Sequence, residues 1–118
     1  MGTQIAKAVG YTVVKGRYGY RLVDPDGKFL TFPQTSEEDA WSFAPPLDTW
    51  EGVGLVLKWL GEHDHYFEIY YQSLEDEPWR IRDDTDEFHM DCLEKSSKTV
   101  DDFPKAICEF LLEVSKGE

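Results

Sequence analysis

Two stretches with the apolar spacing of an α-helix constrain the fold of this chain more than any other feature of its sequence. The first carries apolar residues at i, i+3, i+4 and i+7, the positions that share one helical face. Asp48 and Glu51 precede it at the spacing of a capping box, so the sequence predicts a helix that begins just after Asp48 and ends at Gly61. The residues on its apolar face are Val53, Val56, Leu57 and Leu60.

The second stretch lies near the end of the chain, and its apolar positions form an unbroken helical stripe. Asp101 or Asp102 caps the predicted helix, which runs to Lys116, and Pro104 is tolerated in its first turn. We expect both helices to bury their apolar faces against a sheet. The residues predicted to be buried are Trp41, Trp50, Phe67, Ile69, Ile81, Phe103, Ile107, Phe110 and Leu111.

A hairpin is predicted in the first third of the chain. Asp24, Pro25 and Gly27 occupy the positions that these residue types favour in a type I turn. The residues on either side, 20–23 and 28–32, favour extended backbone. We therefore expect these two segments to pair as antiparallel strands.

The remaining elements are short and complete an α+β pattern. Alternation of apolar and polar residues predicts most of the further strands. The fold class is therefore α+β, with residues 1–118 as a single domain and an antiparallel sheet of about five short strands packed between two main helices, an α–β–α sandwich. The other predicted elements are strands at 11–14, 65–72, 79–82 and 88–92, helices at 4–9 and from Ser36 towards Pro45, and a polar connection at 95–99.

Composition excludes a membrane-spanning chain. No apolar run reaches the ~18 residues that a spanning helix needs, and the N-terminus lacks the apolar core of a signal peptide. A cytoplasmic location follows as an expectation, in which Cys92 and Cys108 are reduced and unpaired. We expect no cofactor.

Charge is distributed unevenly along the chain. The net charge is −12, yet the residues up to Ser36 carry five basic and two acidic side chains, whereas those from Glu37 onward carry seven basic and 22 acidic ones. Such a field favours basic partners and repels nucleic acid and anionic membranes. Acidity alone would also keep a small protein in solution, so this explanation stays open.

Short landmarks occur in a fixed order over nearly the whole chain. They are Ile5-Ala6 with Gly10-Tyr11, the run from Tyr20 to Gly27, Asp39-Ala40-Trp41 with Ala44-Pro45, and Ala106-Ile107-Cys108. In these landmarks the chain resembles the phage α–β–α sandwich domain, a family of small phage and prophage proteins of unknown function. The resemblance implies a sheet between helices and a bacterial host or phage setting, so that the expected cytoplasm is that of a bacterial host cell. It supplies no catalytic residues.

The histidines are the candidates for a metal site. His63 and His65 form an H-x-H pair, and His89 and Cys92 are two further potential ligands. Because this spacing departs from known zinc patterns, surface histidines are the expected outcome and no metal is assigned. Cys92 and His89 would point to opposite faces of a strand, which argues against a nucleophile–base pair.

Other motifs of catalysis or ligand binding are weak. Acidic pairs such as Asp83/Asp84 lie in turn-like stretches, where a carboxyl group is not desolvated for acid–base work. The spacing D-x-D-G at residues 24–27 lacks the terminal glutamate of a calcium loop. Gly16 and Gly19 are not followed by a helix, so no phosphate loop is present. We expect no enzymatic activity and assign no catalytic residue.

Basic and aromatic residues alternate in the first predicted hairpin. Such a surface could contact a nucleic-acid backbone. The net charge of −12 opposes that approach, so direct nucleic-acid binding is not expected. The residues concerned are Lys15, Arg17, Tyr18, Tyr20, Arg21 and Lys28.

Clustered acids in the second half indicate a function in protein–protein interaction. We expect an acidic surface that binds a basic protein or a host nucleoprotein complex, as an anti-CRISPR or other anti-defence inhibitor that mimics nucleic acid would. The alternative is a metal-binding protein or small enzyme that uses His63, His65 or His89. Oligomeric state stays open. The residues assigned to the acidic surface are Glu75, Asp76, Glu77, Asp83, Asp84, Asp86 and Glu87.

Overall fold

The computed structural model describes residues 2–83 and 93–116 of the 118-residue chain. Two compact units make up the chain, Met1–Pro46 (unit 1) and Leu47–Glu118 (unit 2). The described residues form four helices and five antiparallel strands, which confirms the α+β class and the expected number of strands. The strands are divided between a two-stranded sheet and a three-stranded sheet, where one sheet was expected. None of the described helices is long and apolar enough to cross a membrane.

Unit 1 contains two short helices and a hairpin. Strands β1 and β2 pair antiparallel, with Val13 opposite Leu22. The predicted start of the second helix at Ser36 is confirmed, and the side chain of Ser36 caps it by accepting a hydrogen bond from the Asp39 amide. The elements are α1 (Gly2–Ala8), β1 (Thr12–Gly16), β2 (Gly19–Val23) and α2 (Glu37–Trp41).

Residues 28–32 do not form the predicted partner strand. The turn before them is present, since the Gly27 amide donates to the Asp24 carbonyl at 3.0 Å. Beyond it the chain makes only isolated bridges with β2. The reason is that the hydroxyl of Thr31 accepts from the Leu22 amide at 3.1 Å, which replaces a bond of a regular ladder.

Unit 2 contains the three-stranded sheet and the two long helices. The sheet order is β3-β4-β5, and both pairs are antiparallel. Ile81 of β4 lies opposite Ile69 on one side and Lys95 on the other. The elements are α3 (Val53–Glu62), β3 (Phe67–Tyr71), β4 (Trp79–Asp83), β5 (Glu94–Ser97) and α4 (Phe103–Lys116).

Helix α4 organises the core of unit 2. It contacts β4, β5 and α3, so one helix lies directly on the sheet while the main contacts of α3 are with α4. Both helices were expected on the sheet, and α3 departs from that arrangement. The predicted apolar stripe of α4 is confirmed. Its buried residues are Phe103, Ala106, Ile107, Phe110 and Leu111.

Helix α3 begins later than predicted. The N-cap residue of the helix is Gly52, and no side chain caps the helix. The predicted capping box of Asp48 and Glu51 is therefore wrong. The hydroxyl of Thr49 accepts from the Gly52 amide instead, which holds the preceding residues in turns. Trp50 therefore lies before the helix and is 50% exposed, although it was predicted to be buried.

Four other predictions about the core and the strands need correction. Ile69 is 43% exposed because β3 lies at the sheet edge, and Phe67 and Trp41 are only half-buried. Residues 94–97 form β5 and not a polar connection. The sequence of this strand has no apolar alternation, which is why it was not predicted. Its pairing with β4 is supported instead by the ion pair between Glu94 and Arg80. The strand predicted at 88–92 lies outside the described residues.

Helices α1 and α3 end in the same Schellman motif. After α1, the Tyr11 amide donates to the Ala6 carbonyl, and Gly10 adopts φ 109°. After α3, the His65 amide donates to the Leu60 carbonyl, and the left-handed position is held by Asp64 at φ 58°. An L-residue there is strained relative to glycine, although aspartate tolerates the region better than most.

Replacing Asp64 with Gly should therefore stabilise the protein. We expect the free energy of unfolding to rise by ~0.5–1 kcal/mol, because the left-handed penalty of ~1–2 kcal/mol exceeds the entropic cost of glycine. Asp64→Val, which is β-branched, should lower it. Urea unfolding of both variants tests this pair, and a loss of stability in Asp64→Gly would contradict the strain argument.

Candidate protein-binding surface

The connection between β3 and β4, residues 72–78, is a compact acidic loop. The Gln72 amide donates to the Pro78 carbonyl at 2.9 Å, and the Glu75 amide donates to the Gln72 carbonyl at 3.2 Å. These bonds fold the loop back on itself, so the side chains of Glu75, Asp76 and Glu77 are exposed. The sequence-based placement of these three acids in a solvated turn is confirmed.

The three acids of this loop differ in whether they pair with Arg80. Its guanidinium lies 2.5 Å from the Glu94 carboxylate and 3.6 Å from that of Glu75. The hydrogen bond to Glu94, opposed by burial, raises the pKa of Arg80, with Glu75 contributing less. Among the described residues, the carboxylates of Asp76 and Glu77 have no such cation within 4.0 Å. They are therefore the acids most available to a partner.

The outer face of the three-stranded sheet is closer to neutral. Arg82 pairs with Glu68, and its guanidinium lies 5.4 Å from the centre of the Tyr70 ring. Burial and a hydrogen bond with Glu94 raise the pKa of Tyr70, so its hydroxyl stays protonated. Because both arginines of unit 2 already have carboxylate partners, this face does not offset the charge of the loop.

The structure separates Asp83, a fourth predicted acid, from the loop. Asp83 ends β4 and is half-buried, and its amide donates to the Leu93 carbonyl at 2.9 Å. It was predicted to lie in a solvated turn. The length of β4 places it about 13 Å along the strand from the loop, at ~3.3 Å per residue. Asp84, Asp86 and Glu87 lie outside the described residues.

Leu74 is a loop residue that the sequence reasoning missed. Its side chain is 98% exposed, and it directly precedes the three acids. Single exposed apolar residues are common on protein surfaces. A leucine among turn-type acidic residues was nevertheless a readable signal, since it gives an otherwise charged loop an apolar contact for a partner.

The histidines of the H-x-H pair contact Trp59. The His63 ring is stacked on the indole at 4.0 Å, with its Nδ1 2.9 Å from the Trp59 carbonyl oxygen, and the His65 ring is stacked at 5.6 Å. No group of three or more potential ligands that could hold a metal occurs within residues 2–83 and 93–116. His89 and Cys92 lie outside those residues. The observed contacts are those of an aromatic cluster at the end of α3.

Cys108 is a buried structural thiol. It is free, fully buried in α4, and donates to the Leu47 carbonyl at 3.3 Å. Desolvation, with smaller contributions from Asp48 and Glu109, raises its pKa to about 12. Because the thiolate is the nucleophilic form, this cysteine is chemically unreactive at neutral pH.

Charge differs between the two units. Unit 1 has five basic and five acidic residues, whereas unit 2 has seven basic and 19 acidic ones, so the whole net charge of −12 belongs to unit 2. In unit 1 the basic side chains of the hairpin lie over aromatic rings, as Arg21 does over Phe29 at 3.9 Å. The corresponding pairs Lys15–Tyr20 and Arg17–Tyr18 are both at 5.7 Å.

The chain was compared with family models, with curated proteins and with solved structures. No match was found in any of the three comparisons.

Proposed function

We propose that this protein acts without catalysis, as a binding module whose unit 2 holds a basic partner protein. The observation that carries the proposal is the acidic loop, with three consecutive exposed acids next to an exposed leucine. Carboxylates at consecutive positions repel one another, and solubility does not require them to be adjacent. A binding surface explains both the clustering and the apolar side chain beside it.

The distribution of charge supports the same proposal. The whole net charge of −12 belongs to unit 2, whose two arginines are engaged by Glu68 and Glu94. Acidic surfaces of this kind raise the rate at which basic proteins associate and set the salt dependence of binding. We infer that the partner is a nucleic-acid-handling protein or nucleoprotein complex, because its basic groove would accept carboxylates in place of phosphates. In a phage setting such a protein would be an inhibitor of host defence.

Affinity capture with matched charge variants tests the proposal. Asp76→Asn with Glu77→Gln removes the two loop acids that lack an ion-pair partner among the described residues. Asp48→Asn with Glu51→Gln removes the same charge from exposed positions outside the loop. We expect the first variant to bind the captured partner ~10-fold more weakly, a loss of roughly 1.4 kcal/mol, and the second to bind as the unchanged protein does.

Two results would count against the acidic loop as a binding surface. Equal weakening by both variants would show that only total charge matters. Unchanged binding by both would show that the loop is merely solvated. Circular dichroism of each variant is the control for folding, and no loss of structure is expected because all four side chains are exposed.

A further inference from the structure

Within the described residues, strand β3 forms an exposed edge of the three-stranded sheet. The order β3-β4-β5 gives it a partner strand on one side only among those residues. Along an antiparallel pair, residues that exchange backbone hydrogen bonds alternate with residues that do not. The Gln72 amide donates to Pro78, directly after β3, so the bonded positions on this strand are Glu68 and Tyr70.

The other residues of β3 therefore direct their backbone groups away from β4. These are Phe67, Ile69 and Tyr71, and within the described residues their amides and carbonyls have no hydrogen-bond partner. The next strand obeys the same alternation, since the Asp83 amide of β4 donates to Leu93 beside β5. At every second residue the edge thus presents a backbone amide and a backbone carbonyl, which is the spacing that a further strand requires.

In the part of the chain that the structure describes, this edge has few of the features that usually prevent strand pairing. Natural proteins protect an edge with charged residues (lysine above all), proline, a bulge or a covering element, and of these β3 has only Glu68. β3 has the sequence Phe-Glu-Ile-Tyr-Tyr and pairs with β4 in continuous register, without a bulge. Ile69 and Tyr71 are 43% and 56% exposed, so their side chains are not covered by another element.

The two faces of β3 define what an added strand would contain. Phe67, Ile69 and Tyr71 share one face, which is apolar, while Glu68 and Tyr70 share the other. The acidic loop begins at the end of the strand and adds negative charge there. A complementary strand alternates apolar residues with lysine or arginine. A second copy of this chain would bring another glutamate and a further net charge of −12, which opposes self-pairing.

We propose that β3 binds an extended basic segment of the partner by strand addition. This inference rests on the proposed function and names the form in which the partner is held. Backbone hydrogen bonds to Phe67, Ile69 and Tyr71 give affinity, and alternating apolar and basic side chains give specificity. The acidic loop then accelerates association, while the edge holds the segment.

A synthetic peptide tests the inference with the intact protein. The probe is a capped peptide of alternating lysine and valine, long enough to span the five residues of β3. Two control peptides are methylated on backbone nitrogens, one at every valine and the other at every lysine. Because alternate residues direct their amides to opposite edges of a strand, each control blocks one edge, and both keep the charge of the lysine side chains. We expect the unmethylated peptide to bind, one methylated form to bind as well, and the other to lose binding ~10-fold or more.

A matched pair of protein variants provides the second measurement. Ile69→Lys places a protecting lysine on the proposed edge, whereas Val14→Lys makes the same change at a β1 residue that is 42% exposed. We expect Ile69→Lys to weaken peptide binding ~10-fold more than Val14→Lys does. Both positions are exposed, so both variants should fold.

The outcomes separate this inference from the proposed function. Peptide binding that falls with salt and with loop neutralisation, yet is equal for both methylated forms, would overturn strand addition and leave charge-based binding standing. A concentration-dependent dimer that Ile69→Lys dissociates would show that a second copy occupies the edge, which also overturns it. A third outcome is that one methylated form loses binding while neutralising the loop acids leaves capture of the partner unchanged. Strand addition at β3 would then stand, and the acidic loop would be rejected as a binding surface.

Discussion

Phe110→Ala should reduce the free energy of unfolding by ~3–5 kcal/mol, the range observed when a buried phenylalanine is truncated. Phe110 is fully buried in α4, the helix that contacts β4, β5 and α3. Its removal takes apolar surface out of the core and leaves a cavity that these elements cannot close without moving. Equilibrium unfolding in guanidinium, followed by tryptophan fluorescence, measures the loss.

Val100→Ala is the control for this prediction. Val100 belongs to the same unit but is 42% exposed, so we expect a change within about 0.5 kcal/mol. The ratio of the two effects matters more than either value. Similar small losses in both variants would contradict the assignment of α4 as the centre of the core.

Gly19→Ala should disrupt unit 1 to a comparable extent. Gly19 has φ 140°, and a Cβ placed on it would lie 2.4 Å from the Gln34 carbonyl oxygen. That oxygen accepts from the Tyr20 amide at 2.9 Å, and the Gln34 amide donates back to Tyr20 at 2.7 Å. We expect a loss of ~3 kcal/mol or more, from backbone strain of ~1–3 kcal/mol and a steric cost of similar size. Hydrogen exchange at the Tyr20 amide reports the loss locally.

Gly16→Ala is the matched control, because Gly16 lies at the other end of the same turn. A Cβ there would meet its nearest neighbour at 3.7 Å, an ordinary contact distance, and the backbone is not left-handed. Exchange at Tyr20 should be nearly unchanged in this variant. Equal acceleration in both variants would show that the close approach of Gln34 is not what requires glycine at position 19.

Apolar periodicity was sufficient to predict the long helices. The stripe from Phe103 to Leu111 is buried as expected, because a 3.6-residue period leaves few other ways to cover it. Local residue types predicted the helix start at Ser36 and the turn at residues 24–27, because the hydrogen bonds of both are made within a few residues.

The errors arose where a side chain outside the predicted pattern decides the local structure. Residues 28–32 read as a strand, but the Thr31 hydroxyl takes the Leu22 amide and breaks the ladder. β5 has no apolar alternation, and its pairing is favoured by Arg80 on the neighbouring strand. The capping box at Asp48 had the right residue types, yet Thr49 bonds Gly52 first. The interactions of Thr31 and Arg80 join separate segments, which no local spacing rule contains, and at Asp48 the local rule selected the wrong one of two neighbouring residues.

The candidate surface was predictable only in part. Three consecutive acids next to Pro78 indicated a solvated acidic loop, and the structure has one. The sequence could not show that Glu75 lies near Arg80 or that Asp83 lies at the opposite end of β4. It could not show that β3 is an edge strand either, because edge position depends on the order of strands in the sheet.

The association rate of the captured partner, measured by stopped-flow fluorescence over a range of salt concentrations, tests the role of the acidic loop most directly. For the unchanged protein and for Asp48→Asn with Glu51→Gln, we expect a fast rate that falls steeply as salt screens the charges over ~8–10 Å. For Asp76→Asn with Glu77→Gln, we expect a rate several-fold lower at low salt and a shallower salt dependence. If all three proteins give the same rates and the same slopes, the acidic loop does not recruit the partner.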